Sequence, residues 1–178
     1  MHALIVGARG VGKSTLIRRV VEDLGQPVFG FETKKEDSLA QPGKGSPVYI
    51  YKAGEEHRQT EDNLVGWCEY KCLDTRVAGF DRFSAHLLAP VPAGQVVVMD
   101  EIGVMESSSG EFCRAVLRLL DGEAPVIAAV KDKDTPFLEQ VRRHPNCRCF
   151  HITPENRETL CAEVSAFMKA QFDERRGL

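Results

Sequence analysis

Two stretches of the chain hold residues whose types and spacing do chemistry together. The first, Gly7-Ala8-Arg9-Gly10-Val11-Gly12-Lys13-Ser14-Thr15, fits the pattern G-x-x-x-x-G-K-[ST]. Glycines let a backbone turn tightly around a phosphate chain, and successive N–H groups at the start of a helix form an anion cradle. Lys13 would then reach the terminal phosphates, and the Ser14 hydroxyl a Mg²⁺ ion. The second stretch is Asp100-Glu101, at the end of the apolar run Val96-Val97-Val98-Met99. Beside a phosphate chain, Asp100 would hold the metal, mostly through water, and Glu101 is placed to orient and deprotonate a water in line with the last phosphate. Such an Asp-Glu pair favours hydrolysis over transfer to a bound acceptor.

Both stretches need elements to position them. Ala3-Leu4-Ile5-Val6 reads as a strand entering the glycine loop, and Leu16, Ile17, Val20, Val21 and Leu24 recur at helical spacing after it. That helix is expected from Gly12 to Leu24, stopped by Gly25 and Pro27. Residues 28–33 read as a strand. Residues 34–63, polar and rich in glycine and proline around Val48-Tyr49-Ile50-Tyr51, read as an insertion carrying a small β-hairpin within a single domain spanning residues 1–178. Residues 64–73 fit strand or irregular structure equally, and residues 79–88 a short helix. Ser108-Ser109-Gly110-Glu111 has the form of a capping box opening a helix to Gly122. Val126-Ile127-Ala128-Ala129-Val130 is a further buried strand, the natural candidate for the one that in P-loop proteins with an adjacent Asp-Glu pair lies between the loop strand and the aspartate strand. It ends in Lys131, which reads either as a cation able to sense or neutralise a terminal phosphate or as part of a solvated Lys131-Asp132-Lys133-Asp134 loop. Thr135-Pro136 starts a short helix, residues 147–152 form a strand, and Thr153-Pro154 starts a last helix that frays after Phe172. Strands alternating with helices predict an α/β fold, a mostly parallel sheet covered on both faces, with ligands at the carboxyl ends of the strands.

Composition narrows the function. A chain that is 43% hydrophobic and 28% charged builds a core rather than staying disordered. A net charge of -3 gives no general attraction to nucleic acid or anionic membrane. No apolar run approaches the roughly 18 residues of a membrane span and the first strand begins at residue 3, so a cytoplasmic protein is expected, a monomer, with any protein partner unidentified. Six cysteines are read as reduced thiols, because neither Cys68/Cys72 nor Cys147/Cys149 has a zinc-knuckle gap; the latter pair is read as facing opposite sides of a strand.

Gly7 to Thr15, Gly30-Phe31-Glu32-Thr33-Lys34, Asp100-Glu101-Ile102-Gly103-Val104-Met105-Glu106 and Ile152-Thr153-Pro154-Glu155-Asn156-Arg157 occur in the order and spacing of the cancer-related nucleoside-triphosphatase family, also called THEP-type NTPases. The chain resembles that family over nearly its whole length, least between residues 35 and 75, and the D-E-I-G-x-M-E run discriminates most. The resemblance implies a P-loop NTPase domain of RecA-like type that slowly hydrolyses ATP, GTP and other nucleoside triphosphates with Mg²⁺. It places the nucleotide against positions 7–15 and against Val98, Met99, Asp100, Glu101, Ile102, Gly103, Val104 and Met105, and brings Asn156 and Arg157 towards base or ribose. Arg9 stands where many members have proline, and Lys34, Lys35 and Lys44 replace an arginine-rich hairpin. With no arginine finger identified, turnover is expected to be slow.

Two other readings use the same loop. A small-molecule or nucleotide kinase would seat its acceptor near Thr33-Lys34-Lys35, and a nucleotide-dependent switch or assembly factor would use the 34–63 segment to meet a partner. An N-K-x-D guanine-reading motif is absent after residue 130, which argues against strict GTP specificity.

Overall fold

A strand covered on both faces must be apolar along its length, and Ala3–Val6, Val96–Met99 and Val126–Val130 meet that condition: none of these residues is more than 5% exposed. The computed structural model of the chain describes residues 1–69 and 72–176. The three runs lie in β1 (His2–Gly7), β6 (Val96–Ile102) and β7 (Val126–Lys131), with β7 between the other two and parallel to both. The remaining strands are β2 (Val28–Lys35), β3 (Ser46–Lys52), β4 (Leu64–Glu69), β5 (Cys72–Thr75) and β8 (Cys147–His151). Together they form an eight-stranded sheet in the order β5-β4-β3-β2-β6-β7-β1-β8. Pairing is parallel from β2 to β8 and antiparallel from β2 to β5.

Helices cover both faces. In chain order they are α1 (Lys13–Leu24), α2 (Val77–Leu88), α3 (Gly110–Asp121), α4 (Pro136–Arg142) and α5 (Arg157–Arg176). On one face Leu16, Ile17 and Val20 of α1 and Leu160, Val164 and Met168 of α5 pack on Ile5, Val98 and Ile127. On the other, Phe80 and Leu87 of α2, Phe112 and Leu119 of α3 and Leu138 of α4 pack on Phe31, Met99 and Ala128. Phe112 meets Phe31 and Phe80 edge-on, with ring centroids 5.0 and 5.1 Å apart.

Several boundaries differ from the sequence expectation for local reasons. The second strand runs on to Lys35 because it gains an antiparallel partner: Lys35 pairs with Val48 and Thr33 with Ile50. The apolar run at residues 48–51 thus lengthens the main sheet, and residues 64–69 continue it as β4; residues 70 and 71 lie outside the described residues. The helix expected at residue 79 starts at Val77. The cap of α3 is Ser109, whose Oγ accepts from the Phe112 N–H at 3.1 Å; Ser108 instead donates to the Met105 carbonyl, and Glu111 turns to Arg114 at 3.5 Å, so no capping box closes. The last helix starts at Arg157 rather than Thr153, because Asn156 closes a turn by accepting from the Thr153 N–H at 2.8 Å and donating to the His151 carbonyl at 2.9 Å. It then continues to Arg176, past the expected fraying point at Phe172. Thr135 caps α4 as expected, with Pro136 in its first turn. Cys147 and Cys149 pack on the same cluster, since residues two apart in a strand share a face, which corrects their assignment to opposite sides. Cys68, Cys113, Cys147, Cys149 and Cys161 are free thiols, and the side chain of Cys72 lies outside the described residues. Among the described residues no helix is long and apolar enough to cross a membrane.

Candidate active site

The strand order sets the spacing of the chemistry. With β7 between β1 and β6, the end of the loop strand and the Asp100-Glu101 end stand two strand spacings apart, about 9.5 Å. Gly7 pairs in register with Lys131, so the β7 lysine projects from the middle of that gap, level with the start of the loop.

The loop turns where only glycine is at ease. Gly12 has φ 110°, a conformation that favours the bare residue, and a Cβ there would also crowd the Arg157 side chain at 3.2 Å. Lys13 follows, 4% exposed, its Nζ donating to the carbonyls of Gly7 and Ala8, each at 2.8 Å, and pairing with Glu101 Oε2 at 3.0 Å. Ser14 Oγ donates to Asp100 Oδ1 at 2.9 Å. Burial, with the Glu101 and Glu32 charges adding to it, pushes the Asp100 carboxyl up to about 6 against the pull of Ser14. A half-buried carboxylate and a hydroxyl brought together, with two more carboxylates adding negative potential, form a hard oxygen pair suited to Mg²⁺. Gly7 to Thr15, Asp100 and Glu101 are therefore gathered at one end of the sheet.

The other end of Glu101 meets a second cation: Lys131 Nζ lies 3.2 Å from Oε1. Lys131 reaches this point by passing over Gly103, where a Cβ would stand 2.8 Å from the lysine Cδ and 3.1 Å from Glu106 Oε2. Glu106, which the sequence reading quoted but gave no role, is 4% exposed and accepts from the Gly103 N–H at 2.9 Å. The one sign of it in the sequence is its place three residues after Gly103.

Burial pushes the Glu106 carboxyl up to about 7, with Glu101 adding and Lys131 and the Gly103 N–H opposing. From its ordinary 4.5 to about 7 the folded chain keeps a proton there that the unfolded chain has released. Stability therefore falls as pH rises through that window, by roughly 3 kcal/mol for this group. Glu106→Gln keeps an acceptor for Gly103, so urea midpoints at pH 5 and pH 8 should lie closer together in the variant than in the parent. An equal separation in both would refute the assignment.

The remaining expected residues are spread around this centre. Val98, Met99 and Ile102 are buried in β6 and Met105 in the core beyond it, while Val104 is 40% exposed. The side chain of Asn156 is committed to its own turn on both its oxygen and its nitrogen. Arg157 lies against Gly12 on the opposite flank from Asp100 and lines a cavity of about 230 Å³ with Gly12, Thr15, Arg19 and Pro154. A second cavity, about 340 Å³, opens beside Ser14 and Asp100 and is lined further by Arg18, Glu32, Lys34 and Val98. Among the other lysines, Lys34 pairs with Glu32 at 2.9 Å on the wall of this second cavity, next to Asp100, while Lys35 pairs with Asp37 at 2.7 Å and Lys44 lies over the Trp67 ring at 5.4 Å. Arg9 is close enough to Asp37 to help hold that carboxyl low, after Lys35 and Ser46.

The family described as NTPase matches residues 2–165. Among curated proteins, nucleoside-triphosphatase THEP1 of Aquifex aeolicus is 27% identical over 95% of this chain and 99% of its own length. The cancer-related nucleoside-triphosphatase homolog of Mus musculus is 30% identical over 95% of this chain and 97% of its own. The crystal structure of THEP1 from Aquifex aeolicus superposes with a TM-score of 0.72 at 25% identity, covering 94% of this chain and 99% of that one. The solution structure of a human cancer-related nucleoside triphosphatase, at 24% identity and a TM-score of 0.67, shares the fold over 95% of this chain and 97% of that one. With a match across nearly its whole length and the phosphate loop facing Asp100 and Glu101, the chain belongs to the NTPase family.

Proposed function

We propose that the chain is a Mg²⁺-dependent nucleoside-triphosphate phosphohydrolase of broad base preference, with Glu101 as the base for the attacking water. Hydrolysis of nucleoside triphosphates is the activity of the family to which it belongs. The observation that carries the finer reading is the Glu101 carboxylate, held between Lys13 and Lys131 beside the Ser14–Asp100 pair. Residues 7–15 cradle the phosphates through backbone N–H groups, and Lys13 leaves the loop carbonyls for the terminal phosphates. Ser14 and Asp100 hold Mg²⁺, which when bound neutralises charge on the phosphate oxygens. Glu101 takes a proton from water as the water oxygen bonds to the γ-phosphorus and the bond to the bridging oxygen breaks, releasing nucleoside diphosphate and phosphate. Asn156 is spent on its turn, and base and ribose rest in the cavity of about 230 Å³ against Arg157 and Pro154, where stacking on a guanidinium plane and a proline ring accepts any base.

Phosphate release measured with ATP, GTP, CTP and UTP, each with Mg²⁺ or with excess chelator, tests this. Release is expected from all four and lost with chelator; release confined to one base, or unaffected by chelator, would contradict it. Transfer to an acceptor has one observation in its favour, the cavity of about 340 Å³ beside Ser14 and Asp100. That reading requires phosphate release to be negligible until a nucleoside or other hydroxyl compound is added.

A further inference from the structure

Ala8, Arg9 and Gly10 form the exposed tip of the phosphate loop, closed by the Val11 N–H donating to the Ala8 carbonyl at 3.4 Å. The space around the tip is open, since a Cβ on Gly10 would meet nothing within 4 Å. Arg9 thus has room to turn. The lysines around it are committed, Lys13 and Lys131 to Glu101, Lys34 to Glu32 and Lys35 to Asp37. Arg9 makes no hydrogen bond and no ion pair among the described residues; its charge is felt at Asp37, whose carboxyl it helps to hold low after Lys35 and Ser46.

The strand order fixes what lies beneath that reach. The loop leaves β1, and Asp37 follows the end of β2, three strand spacings away, about 14 Å. Between them stand the ends of β7 and β6, where Lys131 meets Glu101. An arginine whose charge is felt across that gap leans over the mouth of the site. Asp37 does not depend on it, because Lys35 Nζ and Ser46 Oγ each lie 2.7 Å from Asp37 Oδ1.

We propose that Arg9 is the chain's own arginine finger, turning from Asp37 to the γ-phosphoryl group as its bond to the leaving oxygen breaks. The planar guanidinium then meets the negative charge spread over the three oxygens of that group, a stabilisation realised in the transition state and not with bound diphosphate. This inference rests on the reading of the chain as a nucleoside-triphosphate hydrolase.

The test compares the full wild-type chain with Arg9→Ala in kcat and KM for ATP, and in affinity for ADP with and without aluminium fluoride, a planar mimic of the γ-phosphoryl group in transfer, always with Mg²⁺. Arg9→Ala should lower kcat by roughly 10²- to 10³-fold, as loss of one preorganised charge-stabilising donor does, and should lower the gain from aluminium fluoride by a similar factor. KM, ADP affinity and the urea midpoint should stay near wild type, because the side chain is exposed and unpaired at rest. Free guanidinium ion at millimolar concentration should restore part of the turnover, which it could not do for an arginine that only shapes the loop. Arg9→Lys, with the charge but not the fork, should keep part of it, and Arg143→Ala, exposed past the end of α4, should alter nothing. An unchanged kcat in Arg9→Ala would overturn the proposal. So would a higher kcat, which would mean that the side chain obstructs the attacking water. A fall in ADP affinity with the aluminium fluoride gain intact would assign Arg9 to the shape of the loop instead. If the wild type releases no phosphate from any triphosphate, the hydrolase reading falls, while the gain from aluminium fluoride in the two proteins still decides the role of Arg9.

Discussion

Glu101→Gln should lower kcat by roughly 10²- to 10⁴-fold, the range for loss of a general base, while nucleotide binds at least as tightly as to the wild type. The first half follows from the only acidic side chain that touches both Lys13 and Lys131 among the described residues. The second half comes from the resting arrangement. Lys13 must leave Glu101 and the Gly7 and Ala8 carbonyls before it can meet a phosphate, so Glu101 competes with the ligand for it. Glutamine occupies the same volume without the charge, and the competition weakens. Single-turnover phosphate release together with a titration of a fluorescent nucleotide reads both quantities. Turnover at the wild-type rate would remove Glu101 as the base; slow turnover with weaker binding would mean that its charge organises the loop rather than the water.

The glycine loop, the Asp100 strand and the strand ending at Lys131 were legible because each rests on short-range physics: a tight phosphate turn, and apolar runs that can only be buried strands. The placing of β7 between β1 and β6 follows from the resemblance to P-loop proteins with an adjacent Asp-Glu pair, since an apolar run by itself fixes no place in the sheet. What failed was local competition. Ser108 and Ser109 fit a cap equally well by type, and the 3₁₀ turn at Glu106–Ser108 takes Ser108 for Met105, leaving the cap to Ser109. Thr153-Pro154 looks like a helix start, and Asn156 delays it by hydrogen bonding across the turn. The 48–51 run reads as part of a small β-hairpin in an insertion, and that its antiparallel partners, at residues 32–35 and 64–66, make it part of the main sheet is visible only once the chain has folded back. In the site the sequence named the two carboxylates and both lysines, yet nothing in it could reveal that one carboxylate joins the two lysines. That juxtaposition comes from three separate strand ends meeting.

Lys13→Ala should weaken nucleotide binding by roughly 100-fold or more, since at least two charge-assisted hydrogen bonds to phosphate are lost, each worth about 1.5–3 kcal/mol. The same change also disturbs the free protein. Lys13 is 4% exposed and satisfies the Gly7 and Ala8 carbonyls and one oxygen of Glu101, so its removal leaves three acceptors short of a donor. Unfolding stability should fall by about 1–3 kcal/mol, towards the low end because Glu101 is partly exposed and keeps Lys131. Lost binding in this variant alone would thus confuse a missing phosphate ligand with a damaged loop. The double variant Lys13→Ala with Glu101→Gln separates the two. Removing a carboxylate charge that has lost one of its two cations should restore part of the stability, read as a urea midpoint, and should restore none of the nucleotide affinity, read by the fluorescent titration. If affinity returns together with stability, Lys13 serves the loop's own structure, and the phosphates are held by backbone N–H groups without it.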